Sequence, residues 1–178
     1  MGINWTYVAL PCESHNLEIV LNAFQSIDCK GLNVTIPHKQ TIAEICTDLT
    51  SISKKVHAVN TLIPQKEGWI GDNTDVDGFI SPLIENNLRN KDAVILGCGG
   101  SARAVVMGLN SLNVKKITII GRNENSLNSF VKNMKELSQK SEISIEGINN
   151  TKLNVTPYIE EADLIVNTTP IGMNSKKT

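Results

Sequence analysis

Apolar and polar positions along the chain alternate between short apolar runs and longer amphipathic stretches. Asn4–Leu10 (NWTYVAL) predicts a strand, and Asn16–Ser26 a helix with Leu17, Val20, Leu21 and Phe24 on one face. Leu32–Ile36 predicts a second short strand, stopped by Pro37, which has no N–H to give to a sheet. A helix is expected from about His38 through Thr47. Val59–Pro64 then predicts a strand that returns through Lys66-Glu67-Gly68 into Trp69-Ile70 as a hairpin. Asn73 or Thr74 can cap a helix that continues across Phe79–Leu88 and bridges two units.

After Arg89-Asn90-Lys91-Asp92 the pattern turns to a dense apolar run, Ala93–Leu96, of the kind buried on both faces in a parallel sheet. A helix from Ser101 to Ser111, a strand Lys116–Ile120, a helix Asn125–Ser138 and a buried strand Asp163–Asn167 continue a βαβ rhythm. The expected fold class is therefore α/β. A smaller mixed sheet flanked by helices occupies residues 1–84, and an incomplete doubly wound parallel sheet occupies residues 85–178. The two join near Asp77–Lys91, with a cleft between them.

Composition is that of a globular α/β protein, with 178 residues, 40% hydrophobic and 20% charged. Net charge is −1 with no basic block, which argues against nucleic acid and anionic membranes as partners. No apolar run approaches the ~20 residues of a membrane helix, and MGINWTYVAL lacks the features of a secretory signal. A cytoplasmic protein is expected. Cys12, Cys29, Cys46 and Cys98 show no metal-site spacing, so they are expected to be reduced, mostly buried thiols, with no metal bound.

Gly97-Cys98-Gly99-Gly100-Ser101-Ala102 fits G-x-G-x-x-A between a predicted strand and a predicted helix, the context that a dinucleotide cradle requires. Glycine makes the tight turn and lets backbone approach a pyrophosphate; a small third residue lets helix and strand pack closely. The helix N-terminus offers unpaired N–H groups and partial positive charge to phosphates. The following strand ends in Ile120-Gly121-Arg122-Asn123, without the acidic residue that would hold the ribose hydroxyls of NAD. Arg122 offers a fork of donors suited to a 2′-phosphate, so NADP is the expected cofactor.

Gly31–Lys39 (GLNVTIPHK) places a lysine directly after a strand-and-proline turn, and Gly71–Gly78 (GDNTDVDG) supplies Asp75. A lysine beside a carboxylate can move a proton to or from an oxygen that gains or loses hydride. Asn33, Thr35, Asn60 and Thr74 can hydrogen-bond substrate hydroxyls. From spacing alone a lysine near a helix start such as Lys39 is usually a solvated side chain, and Asn73, Thr74 and Asp75 are equally helix caps.

GLNVTIPHK, HAVNTL at His57–Leu62, GDNTDVDGF, GCGGSARA and ADLIVNTTPIGMN occur in this order, and together they resemble the shikimate dehydrogenase family from about Asn4 to Met173. The resemblance implies NADPH-dependent, reversible reduction of 3-dehydroshikimate to shikimate in chorismate and aromatic amino-acid biosynthesis. It implies Lys39 as catalytic acid/base and Asp75 as its partner at the substrate hydroxyl, with Thr35 and Asn60 on the ring. Gly97–Ala102 would carry the pyrophosphate, Arg122 and Asn123 the 2′-phosphate side, and Asn167, Thr168 and Thr169 the nicotinamide side.

Departures from the family accompany the resemblance. His57 stands where glycine is more common, which suggests a core or supporting role for it. Ser126 replaces a frequent second arginine. The serine-containing loop that normally precedes the first helix is not found before Asn4, and Ser14-His15-Asn16 lies a strand too late to be it. The chain is expected to be part of a protein about half as long again, a monomer or homodimer. The alternatives are an NAD-using quinate/shikimate dehydrogenase, a non-catalytic truncated nucleotide-binding paralogue and, more distantly, a methylenetetrahydrofolate-type dehydrogenase.

Overall fold

The computed structural model describes Gly2 and residues 4–139 and 141–172; Met173 and Asn174, which close the last sequence motif, lie outside the described residues. After a 3-10 turn at Ser14–Asn16, the first half runs α1 (Leu17–Ser26), β1 (Leu32–Asn33), α2 (Lys39–Ile45), β2 (Asp48–Leu49), α3 (Ser51–Val56), β3 (Thr61–Pro64), β4 (Trp69–Asp72) and α4 (Asp75–Ile80). The second half runs β5 (Asp92–Leu96), α5 (Gly100–Ser111), β6 (Lys116–Gly121), α6 (Glu124–Leu137), β7 (Ser144–Asn149), α7 (Thr156–Glu160) and β8 (Leu164–Asn167). None of the described helices is long and apolar enough to cross a membrane.

The first sheet has the order β1-β3-β4-β2. Its β1–β3 and β3–β4 pairs are antiparallel, and the β2–β4 pair is parallel. Leu17 and Leu21 of α1 and Ile42 and Ala43 of α2 close over Val59, Leu62 and Trp69. The Trp69 indole N–H donates to the Leu21 carbonyl (3.1 Å), so the largest side chain of this core leaves no polar atom unpaired.

The second sheet is parallel throughout, in the order β7-β6-β5-β8. Alternation along its strands sends Ala93, Ile95, Ile117, Ile119 and Ile145 to one face, under α5 and α6, and Val94, Ile120 and Ile148 to the other, under α7. Helices on both faces make it doubly wound. The order reverses between β5 and β8, and ligands of such sheets bind outside the strand C-termini at that switch point.

The sequence expectations hold for most elements and fail at identifiable places. Asn4–Leu10 is not a strand. Among the described residues its backbone makes no hydrogen bond, and Trp5, Tyr7, Val8 and Leu10 are all exposed. The β-favouring residues are present, but a strand needs a neighbour. Strand β1 covers only Leu32–Asn33, although the Val34 N–H still reaches the Asn60 carbonyl (2.7 Å). The helix expected across Phe79–Leu88 ends at Ile80. Pro82 falls in a short 3-10 turn, Ser81–Leu83, where its missing N–H is tolerated. Strand β8, at the edge of the sheet, is half-buried on one side only, with Ile165 exposed. Strands β2 and β7 and helices α3 and α7 were not anticipated.

His57 and the four cysteines also depart from expectation. His57 is an exposed left-handed C-cap of α3 (φ 51°, ψ 45°), not a core residue. That conformation is the one glycine adopts without penalty, which explains the glycine more common at this place. The four cysteines are free but only half-buried.

Helices α4 and α5 join the two halves. A Cβ at Gly108 would lie 2.7 Å from Ile80 Cγ2 and 2.9 Å from Phe79 Cδ1, so this crossing is packed to contact. Gly108→Ala is expected to lower stability. Its helix-propensity gain of at most about 1 kcal/mol is outweighed by an overpacking cost of about 1–3 kcal/mol. A thermal melt checks this, and a Tm at or above that of the parent protein would contradict the packing argument.

A second expectation concerns acid. Asp163 at the start of β8 accepts from Lys91 Nζ (2.8 Å) and the Asp92 N–H (2.9 Å), and these bonds hold its carboxyl below the usual value of 3.8. A depressed carboxyl contributes stability above its unfolded value and loses it as pH falls through the folded one. Asp163→Asn should therefore flatten the loss of Tm between about pH 4 and lower pH; an unchanged acid limb would show the pair to be idle.

Candidate active site

Helix α2 begins at Lys39 directly after a cis Ile36–Pro37 peptide and a turn closed by His38 N–H on the Thr35 carbonyl (2.9 Å). The Lys39 carbonyl accepts the Val59 N–H (2.8 Å), which fixes the helix start to the segment leading into β3. On the same segment Asn60 donates its backbone N–H to the Asp72 carbonyl (3.0 Å) at the end of β4. Asn73, buried to 1% exposure, donates its amide to the Ala58 carbonyl (2.9 Å) and accepts the Asp75 N–H (3.0 Å). The amide oxygen of Asn73 thus does the capping, and Thr74 makes no side-chain cap. These bonds bring α2, the β3 approach and α4 together from sequence positions far apart.

Lys39 Nζ stands 2.5 Å from Asp75 Oδ2, with side chains 12% and 28% exposed. Asn60 Nδ2 donates to Asp75 Oδ1 (2.7 Å) and to Thr74 Oγ1 (3.0 Å), while its Oδ1 accepts the Thr74 N–H (3.0 Å). Both carboxylate oxygens are therefore engaged, and the ammonium has a fixed anionic neighbour while staying in reach of solvent. Four predicted residues, Lys39, Asp75, Asn60 and Thr74, form one polar cluster. Asn33 and Thr35 are exposed and, among the described residues, share no hydrogen bond with this cluster; Asn33 instead accepts from the Tyr7 hydroxyl (3.2 Å).

A cleft of about 430 Å³ separates this turn from the second sheet. One wall is Ile36, Pro37, Lys39, Gln40 and Thr41; the other is Gly97 to Ser101 with Thr168, Thr169 and Pro170. Lys39 belongs to both the cleft lining and the polar cluster. Gly97 ends β5 at φ +102°, and a Cβ there would sit 2.8 Å from Thr168 Oγ1, so both conformation and space demand glycine. A Cβ at Gly99 would meet nothing within 4 Å: the turn faces open space where a pyrophosphate can approach backbone N–H groups. Ala102 is fully buried and packs helix against sheet. Thr168 donates its hydroxyl to the Leu96 carbonyl (2.7 Å).

Other predicted residues sit elsewhere. Arg122 is exposed beyond the end of β6, outside the cleft lining. The Asn123 side chain accepts the Ser126 N–H (2.9 Å) and caps α6. The Asn167 side chain is taken up by its own turn, accepting from the Thr169 N–H (2.9 Å) and hydroxyl (2.7 Å). Burial pushes the Cys98 thiol pKa up, so this half-buried residue contributes backbone to the cradle rather than a reactive sulfur. His38 bonds the Cys12 carbonyl (2.9 Å) and Ser14 Oγ (3.3 Å), away from the cleft lining. Gln40 and Thr41 were not anticipated; the only sequence signal for them is their place one and two residues after Lys39.

Residues 1–62 match the family described as "Shikimate dehydrogenase substrate binding domain". The chain is 48% identical over 175 residues to a protein named shikimate dehydrogenase (NADP(+)) from Prochlorococcus marinus (strain MIT 9515), an alignment covering 98% of the chain and 60% of that relative. A solved shikimate dehydrogenase in complex with NADP+ superposes with TM-score 0.81 at 30% identity, covering 98% of this chain and 60% of that one. A quinate dehydrogenase from Corynebacterium glutamicum in complex with NAD superposes with TM-score 0.77 at 27% identity, covering 91% and 57%. The chain is thus related along almost its whole length to shikimate dehydrogenases, and it spans about 60% of the length of the curated relatives it matches.

Proposed function

We propose that this chain carries the catalytic and cofactor elements of an NADP-dependent dehydrogenase that reversibly reduces 3-dehydroshikimate to shikimate. The observation that carries the proposal is the Lys39–Asp75 pair, 2.5 Å apart, with its lysine lining a cleft whose opposite wall is a dinucleotide turn. In this reading residues 1–84 bind substrate and residues 85–178 bind NADP. The enzyme is cytoplasmic, acts on a small molecule rather than nucleic acid, and works as a monomer or homodimer.

NADPH, when bound, supplies a hydride to the ketone carbon. The chain's own residues do the rest. Lys39 gives a proton to the oxygen as negative charge develops there, and takes it back in the oxidative direction. Asp75 keeps the ammonium aimed, and its second oxygen is held by Asn60 so that the carboxylate cannot swing. Thr35, Asn33 and Thr74 offer hydrogen bonds to ring hydroxyls. The turn Gly97–Ser101 and the N-terminus of α5 hold the pyrophosphate, Thr168 and Thr169 flank the nicotinamide side, and Arg122 with Asn123 takes the 2′-phosphate.

A second reading, an NAD-using quinate/shikimate dehydrogenase, draws on Ser126, which supplies no second positive charge at the start of α6. The test that separates them is nucleotide reduction driven by shikimate or by quinate, with NADP and NAD in parallel. Shikimate with NADP is expected to give the highest kcat/KM; preference for quinate with NAD would move the assignment to the second reading, and no turnover with any pair would overturn both.

Lys39→Ala is expected to lower kcat by about 10²–10⁴-fold, the usual worth of a positioned proton-transfer group, while leaving the NADP dissociation constant within a few-fold. Equal losses in turnover and cofactor affinity would remove Lys39 from the chemistry.

A further inference from the structure

The dinucleotide pattern explains glycine at positions 97 and 99 and alanine at 102, but makes no demand on position 100. Gly100 nonetheless is glycine, and it is the first residue of α5, where it does not take a left-handed φ. Its backbone conformation therefore gives no reason to exclude a side chain. The reason lies across the cleft. A Cβ at Gly100 would stand 3.2 Å from Lys39 Cβ, 3.5 Å from Cδ and 3.8 Å from Cγ. The aliphatic stem of Lys39 lies along the bare N-terminus of α5, and at the far end of that stem Nζ meets Asp75 at 2.5 Å.

We infer that Gly100 is a positioning residue for Lys39: its missing side chain sets where the lysine stem runs and so keeps the turn that holds the nucleotide in register with the proton-transfer group. The inference rests on the reading of Lys39 as that group. A methyl at 100 has no easy way out. Its nearest neighbour is the Lys39 Cβ, which cannot rotate aside. The backbone behind it is held by Lys39 carbonyl to Val59 N–H (2.8 Å) and by Ile42 N–H to His38 carbonyl (2.9 Å). The displacement passes along the stem to Nζ, or else opens the cleft between the two sheets.

The test is a pair of neighbouring substitutions that pull in opposite directions. In the full-length protein, Gly99→Ala projects into the open space of the cradle and is expected to weaken NADP binding at least tenfold, while leaving the Lys39 environment alone. Gly100→Ala keeps the backbone N–H that position 100 offers the pyrophosphate and is a favourable helix residue at a helical position; it is expected to lower kcat about tenfold with the NADP dissociation constant within twofold. In a Lys39→Ala background Gly100→Ala should change the residual turnover by less than twofold, because the group through which it acts is gone. An equal loss of NADP affinity and turnover, or an undiminished effect in the Lys39→Ala background, would return Gly100 to the phosphate cradle and overturn the inference.

A readout independent of the reaction is the ¹³C resonance of reductively dimethylated Lys39, assigned by its absence in Lys39→Ala. Its chemical shift is expected to move in Gly100→Ala and to stay in Gly99→Ala. If shikimate is not the substrate, the NMR shift still appears. If the shift is absent, the positioning role fails whatever the substrate.

Discussion

Everything at the candidate site depends on pairing one ammonium carried on a mostly buried side chain. The Lys39 side chain is 12% exposed, and a charge placed there is matched by a fixed anion and hydrogen bonds. The fold meets this demand with three segments from distant parts of the sequence. The N-terminus of α2 brings the lysine, α4 brings Asp75, and the segment between α3 and β3 brings Asn60, whose side chain ties down the second carboxylate oxygen. Asn73 then anchors the start of α4 to the Ala58 carbonyl from a nearly solvent-free position. Removing one partner of such a pair strands the other charge, so the surrounding packing is as much part of the site as the two charged residues.

The second sheet answers a different constraint. Its parallel strands are buried by helices on both faces, and the reversal of strand order between β5 and β8 leaves a crevice at their C-terminal ends. Thr168 after β8 is tied to the Leu96 carbonyl of β5 (2.7 Å), and it leaves no room for a Cβ at Gly97. The cleft forms because the Lys39 turn faces that crevice. The crossing of α4 on α5, where Gly108 touches Phe79 and Ile80, fixes the separation between the two walls.

The sequence carried the parts governed by local rules. The glycine turn, the helix with Leu17 and Leu21 inward, the hairpin through Gly68 and the strands β5 and β6 all follow from periodicity and turn chemistry, and each is found. Strand β7 escaped because Glu146 and Gly147 break its apolar alternation; Glu146 is accommodated by Lys116 (2.8 Å) and Thr118 (3.0 Å) on β6, partners that no local window contains. The segment Asn4–Leu10 failed in the opposite sense. Its residues favour an extended chain, yet strand formation is a property of two segments, and among the described residues no neighbour pairs with it.

The candidate site was legible as chemistry and illegible as geometry. The order of five motifs pointed to Lys39, Asp75 and Asn60 through the family they resemble, whereas spacing alone left Lys39 readable as a solvated side chain. Which residues would face them across the cleft was not readable, since Gln40, Thr41 and Gly100 acquire their meaning only when two sheets meet. Gly100 shows why most clearly. As a letter in a glycine-rich motif it looks like one more phosphate contact; in space the Cβ it lacks would press on the stem of the lysine at 3.2 Å. A motif assigns a residue to the nearest chemistry along the chain, whereas packing assigns it to the nearest atoms, and at this position the two assignments differ.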